Sequence, residues 1–166
     1  MKKALAFLLV SLLVVGLCMP TYAVTAQYKS TQAFIEKLDE VGLKYSLSSP
    51  DEDGDELVKI NNKDDNGFEY TIRLYFDENE ENCFIRVWNI IHYSDFYFSK
   101  VLRVCNSLNY KYRYLRFYAD ESDNTVTASI DLIFRDNDVG EIAMEAVVTT
   151  ASILEKAYPS LEIYDD

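Results

Sequence analysis

Histidine is almost missing from this chain. His92 stands alone among 166 residues, so any Ser-His-Asp centre would have to be built on it, and no Gly-x-Ser-x-Gly turn exists to present a nucleophile. It follows Ile90 and Ile91 near the end of an apolar run, the place of a structural histidine. Cysteine is scarce too, at three residues, and one histidine with scattered thiols falls short of a zinc ligand set. Five glycines leave no Gly-rich phosphate loop. Positive charge is thin: 16 Lys and Arg face 28 Asp and Glu, for a net charge of −12. Such a surface repels phosphate backbones and anionic lipid heads, which excludes nucleic acid as the expected partner. No cofactor is expected. Abundant carboxylates keep a carboxylate-dependent hydrolase open as an alternative, but the residues otherwise point away from an enzyme.

Long apolar runs are also lacking, with one exception. Ala4 to Met19 is interrupted only by Ser11 and Gly16, follows Lys2 and Lys3, and gives way at Pro20 to a polar stretch. The run is shorter than the roughly 20 residues of a membrane span, and the pattern is that of a secretory signal peptide. Small residues precede a cut in Thr21-Tyr22-Ala23 and in Val24-Thr25-Ala26. The second is preferred, making residues 1–26 the signal peptide and Gln27 the first residue of a mature 27–166 domain. Leu17 before Cys18 does not fit a lipoprotein cut. The expected location is periplasmic or extracellular, with no membrane insertion after cleavage. Losing two lysines takes the net charge from −12 to −14.

What the chain has in quantity is aromatic: 13 Tyr and 9 Phe, enough to argue against disorder. A mature chain of about 140 residues suits one domain with a core of its own. Residues 31–41 predict a helix with Phe34, Ile35, Leu38 and Val41 inward, Ser30 as N-cap and Gly42 as the C-terminal stop. A short extended piece at 43–47 and an acidic turn at 49–55 follow. Strands are expected at 57–61, 68–76 and 83–93, with Asn66-Gly67 as a hairpin signal between the first two. The second strand alternates Phe68, Tyr70, Ile72, Leu74 and Phe76 against Glu69, Thr71, Arg73 and Tyr75. The third reads as apolar on both faces and so interior. A helix over 95–109 carries Phe98, Val101, Leu102, Cys105 and Leu108. Two arms, 112–119 and 125–134, form a second hairpin, and a last helix runs over 141–158 to stop at Pro159.

The order α-β-β-β-α-β-β-α predicts a single α+β domain: a mostly antiparallel five-stranded sheet with helices packed on it. Strand order first-second-third-fifth-fourth would leave 112–119 at an edge. In that scheme Cys83 lies about 33 Å from the far end of its strand at ~3.3 Å per residue, and Cys105 about 15 Å from the same end at ~1.5 Å per residue. The mismatch far exceeds the ~7 Å reach of a disulfide, so two free buried thiols are expected.

From Val104 to Asp120 a helix end bearing Asn106 and Asn109 passes into an aromatic and basic strand and then an acidic turn; Thr125 to Leu132 follows as a strand. This stretch, with the element order, resembles the YbjN family, whose domain is shaped like the class I chaperones of type III secretion. The resemblance covers about half of the mature chain well, and the leader is a departure from the family's pattern. It implies a non-enzymatic protein-binding or regulatory role and a possible homodimer, with an unidentified protein or peptide as partner.

Two places on the chain invite a ligand. Tyr112, Tyr114, Arg116 and Tyr118, with Tyr110 before them, alternate along one expected strand face and would make a protein-binding surface. As an edge strand, the same segment could accept a partner strand. Lys111 and Arg113 add local positive charge suited to an acidic partner. Second, the loops at 51–56 and 77–81 fall at one end of the sheet, and Asp51, Asp53, Asp55, Asp77 and Glu80 form a candidate cation cluster there, making a calcium-binding domain the other alternative. Asn62 to Gly67 imitates a calcium loop, but Arg73 occupies the position of its last carboxylate, and it reads as a turn.

Overall fold

The computed structural model describes residues 25–135 and 138–166; the expected signal peptide, apart from Thr25 and Ala26, lies outside the described residues. Helix α1 spans Lys29–Val41. Strands β1 (Ser46–Ser48), β2 (Glu56–Lys63), β3 (Glu69–Phe76) and β4 (Asn82–Val87) follow. A 3-10 turn at Asp95–Tyr97 leads into α2 (Phe98–Lys111). Then come β5 (Arg116–Asp120), β6 (Thr125–Ile133) and α3 (Val139–Leu161). The strands form one antiparallel sheet in the order β1-β2-β3-β4-β6-β5. This is the expected α+β domain with β5 at an edge; the extended piece after α1 adds the sixth strand.

Burial alternates along the central strands. Val58, Ile60, Ile72, Leu74, Phe76, Cys83, Ile85 and Val87 are buried, while their neighbours are half-exposed. All three helices therefore pack on one face, where Phe34, Leu38, Val101, Cys105, Ala143, Leu154 and Leu161 complete the core. Every described strand, helix and core side chain lies within residues 27–166. No described helix is long and apolar enough to cross a membrane. Cys83 and Cys105 are both free and buried. Burial pushes the Cys105 thiol up to about 11 and raises that of Cys83 well above its usual range.

Several local expectations are corrected. Gly42 ends α1 in the left-handed region, φ 70°, with its N–H on the Asp39 and Leu38 carbonyls. Ser30, however, lies inside the first turn and makes no cap bond, and Val41 points to solvent, 67% exposed. Asn66-Gly67 does not make a two-residue hairpin. Asp64 organises a longer loop by accepting the Asn66 and Phe68 N–H groups, and only Gly67 takes a positive φ. The expected third strand breaks after Val87 at Asn89, φ 55°, and its outer face is open rather than buried. Helix α3 runs through Pro159 to Leu161. Pro159 forfeits one helical bond there, but the last turn buries Ala157 and Leu161, and that burial holds the helix past it.

Candidate functional site

The face of the sheet opposite the helices is open. Direct cross-strand partners project from the same face, and the register sets one row in particular. Lys59 pairs with Arg73, Arg73 with Arg86, Arg86 with Ser129, and Ser129 with Arg116. Ser46 of β1 pairs with Lys59 at the other end, so four of the six positions on this line are cationic. At ~4.8 Å per strand the row from Lys59 to Arg116 is roughly 19 Å long. Like charges directly opposite one another destabilise a sheet, so this is a costly arrangement, in a chain whose net charge is −12.

Two of the four cations are held in place. Arg86 bridges to Asp131 at 2.8 Å, and Arg73 lies 5.0 Å from the centre of the Trp88 ring, which in turn packs against Tyr75. Lys59 and Arg116 make no salt bridge among the described residues. The adjacent row is Leu57, Tyr75, Phe84 and Asp131. Burial raises the Tyr75 phenol while Arg73 and Arg86 pull it back, so its O–H remains a donor at neutral pH. On the other side of the cations, Trp88 and Tyr118 flank a depression over Thr127, with Asp120 and Asp123 at its rim. Trp88 is 46% exposed and Tyr118 42%. Cations framed by aromatic rings make a surface for groups that are both anionic and apolar.

The expected tyrosine row is divided. Arg116 and Tyr118 belong to β5 and to this open face. Tyr112 and Tyr114 precede the strand. Tyr112 is the C-cap of α2, its hydroxyl buried without a partner and its ring beneath Lys111 at 5.0 Å. Tyr114 is exposed and lines a groove with Ile130, Leu132 and Ile142 on the helical side. Tyr110 sits on α2, pointing outward. The edge itself is not free. Asn109 of α2 donates to the Phe117 carbonyl at 2.8 Å and accepts the Phe117 N–H at 2.7 Å. The side chain thus occupies, in the middle of β5, the backbone groups an added strand would need. Sequence reasoning missed this clamp; an asparagine at a helix end carries no signal of what it will meet.

The two acidic loops do meet. Asp55 is raised by burial first and then by Asp51, Asp77 and Asp53. Some of their oxygens are already engaged, however, while Asp77 Oδ1 has no partner among the described residues. Asp51 accepts the N–H groups of Asp53 and Asp55, and Asp77 accepts Asn82 Nδ2. Glu80, held at φ 60°, accepts the Lys29 and Ser30 N–H groups and so caps α1, the role expected of Ser30. Asp53 lies exposed in the turn with Asp51, before β2. Among the described residues no group of three or more His, Cys, Asp and Glu is placed to hold a metal ion. His92 is exposed; its N–H donates to Asp165 and its carbonyl accepts the Asp166 N–H, tying down the C-terminus.

The family model YbjN, described as a putative bacterial sensory transduction regulator, matches residues 33–162. Among solved structures, the crystal structure of YbjN, a putative transcription regulator from E. coli, is similar with a TM-score of 0.50 at 11% identity. That match covers 76% of this chain and 90% of the other. Likeness at that identity speaks for the fold. No curated protein matches the chain.

Proposed function

The chain belongs to the YbjN family, a regulatory rather than catalytic one, and from that premise we propose that it is an exported binding module whose open sheet face captures an acidic segment of a partner protein. The observation that carries this reading is the row Lys59, Arg73, Arg86 and Arg116, on four of the five adjacent strands β2-β3-β4-β6-β5. Arg86 and Arg73 have partners of their own, but Lys59 and Arg116 form no ion pair among the described residues, and an anionic partner would relieve the row. Tyr75, Phe84, Trp88 and Tyr118 supply contact area at low entropic cost. Strand addition at β5 is disfavoured by the Asn109 clamp, so the face, not the edge, is the recognition element. A symmetric face-to-face homodimer is disfavoured too, since it would oppose two cationic rows. Export is supported by Lys2, Lys3 and the apolar run behind them.

The test is direct binding. Peptides rich in Glu and aromatic residues, titrated against the 27–166 domain, bind with an affinity that falls as salt rises. Arg73→Ser with Arg116→Ser weakens binding at least about tenfold, the loss of roughly 1.4 kcal/mol, with the fold intact. Equal binding by the double variant sinks the reading. Preference for single-stranded nucleic acid over acidic peptide overturns the partner class.

A further inference from the structure

Glu56 is a carboxylate at 0% exposure. Its hydrogen-bond partners among the described residues are two backbone groups: the Gln27 N–H on Oε1 at 2.8 Å and the Tyr28 N–H on Oε2 at 3.2 Å. No described salt bridge involves it. A buried carboxylate held by neutral donors alone is expensive, and its neighbours worsen the balance. Burial, then Glu78, Glu56, Asp55 and Asp51, raise the phenol of Tyr28, while Glu80 grips the next two amides. Carboxylates from β2, from the loop before it and from the β3–β4 turn thus converge on residues 27–30, where Lys29 is the one cationic side chain.

We propose that Glu56 is the receptor for the α-ammonium group of Gln27, created when the Ala26–Gln27 bond is hydrolysed; the proposal rests on the export reading. Hydrolysis adds one water. Ala26 departs with a new carboxylate, and Gln27 keeps an amine that is protonated at neutral pH. The nitrogen that donates to Oε1 as a neutral amide becomes a charged donor in the same place, completing a part-buried ion pair. A cut after Ala23 leaves the charge three residues away, at Val24, so the geometry selects the second site. A chemical corollary follows. An N-terminal glutamine cyclises when its neutral amine attacks its own side-chain carboxamide and expels ammonia. An ammonium held by Glu56 has no lone pair for that attack, so the folded mature chain keeps Gln27 open.

The pH dependence has a definite sign. An α-amino group ordinarily titrates near ~7.7–8.0, and pairing with Glu56 in this acidic corner raises the folded value above that. Stabilisation is complete below the ordinary value and is lost as pH rises through the folded one.

Two experiments decide it. First, the full chain is expressed in a secreting host and the start of the recovered protein is read by mass spectrometry. Gln27 is expected; Val24 overturns the choice of cut, and Met1 overturns export. Second, and independently of export, chains 27–166 and 24–166 are melted from pH 6 to 10, each with and without Glu56→Gln. The shorter chain melts higher by roughly 5–10 °C at pH 7. That gap closes with rising pH and disappears in the variant, which also loses ammonia on incubation while the native chain does not. Equal melting of the two native chains at every pH, or equal rates of cyclisation, overturns the pairing. Where the Glu56 variant fails to fold, acetylating the amine of 27–166 substitutes for it: a fall to the 24–166 melting point supports the proposal, and no change refutes it.

Discussion

Replacing Gly140 by alanine tests how closely α1 and α3 are packed. Gly140 is the second residue of α3 and is buried. A Cβ there would lie 2.5 Å from the Ala33 carbonyl oxygen, 3.0 Å from Lys37 Cγ and 3.1 Å from the Ala33 carbonyl carbon. Favourable contacts begin near ~3.5 Å. The Lys37 stem can swing aside, but the Ala33 carbonyl is fixed within α1, so the two helices must separate by about 1 Å. Overpacking of this kind costs roughly 1–3 kcal/mol. Alanine recovers at most about 1 kcal/mol of helix propensity, and less in the first turn. A net loss of about 1–2 kcal/mol is expected, which lowers a urea midpoint by roughly 0.5–1 M at an ordinary slope for a domain of this size. Gly42→Ala is the comparison. Nothing lies within 4 Å of its Cβ position, so any loss there comes only from the left-handed backbone. A Gly140→Ala midpoint equal to or above the parent's would refute the close approach, because helix propensity would then act unopposed.

Asn109→Ala removes the clamp on β5 and leaves the Phe117 backbone groups unpaired; about 1–3 kcal/mol of stability should be lost, and concentration-dependent association should appear by light scattering. Unchanged stability and a monomer at high concentration would contradict the clamp. Lys59→Thr relieves the like-charge pair with Arg73 without breaking any hydrogen bond or ion pair described here; it should be neutral or stabilising by a few tenths of a kcal/mol, ~0.2–1 at most, while weakening capture of acidic peptides. A clear loss of stability would show that the row is not repulsive. Cys105, pushed up to about 11 by burial, makes stability decline from about pH 9 to pH 11, because the unfolded chain releases the proton first; the expected loss is on the order of 2 kcal/mol. Cys105→Ala should flatten that limb of the stability–pH curve, and an unaltered limb would place the cause elsewhere.

The architecture was legible because alternation in 68–76 and 125–134 and helical spacing in 31–41 and 95–109 are local signals that the core enforces. The ends of elements were less so. Pro159 reads as a stop, and only the burial of Leu161 beyond it shows why the helix continues. The 83–93 stretch looks interior on both faces, because nothing in a run containing Phe84, Arg86 and Trp88 tells that its outer side stays uncovered. The cationic row is a product of register: Lys59, Arg73, Arg86 and Arg116 are spread over 58 positions of sequence, and their alignment exists only once five strands pair. Glu56 did leave a trace, as a charged residue in phase with Val58 and Ile60. Its partners, the amides of residues 27 and 28, could not be read from side-chain chemistry at all.

The cationic row also has a pitch. Its charges repeat across the strands at ~4.8 Å, whereas an α-helix brings a side chain back to the same stripe every ~5.4 Å and an extended chain returns to the same side every ~6.8 Å. Over the row's four steps a helix laid crosswise falls out of phase by only about 2.4 Å, while an extended chain slips by about 8 Å, more than a whole strand spacing. On the proposed reading, an acidic helix therefore matches the row better than an acidic strand does. Acidic side chains at every third or fourth position stay in step with it from Lys59 to Arg116, and the same composition in a strand does not.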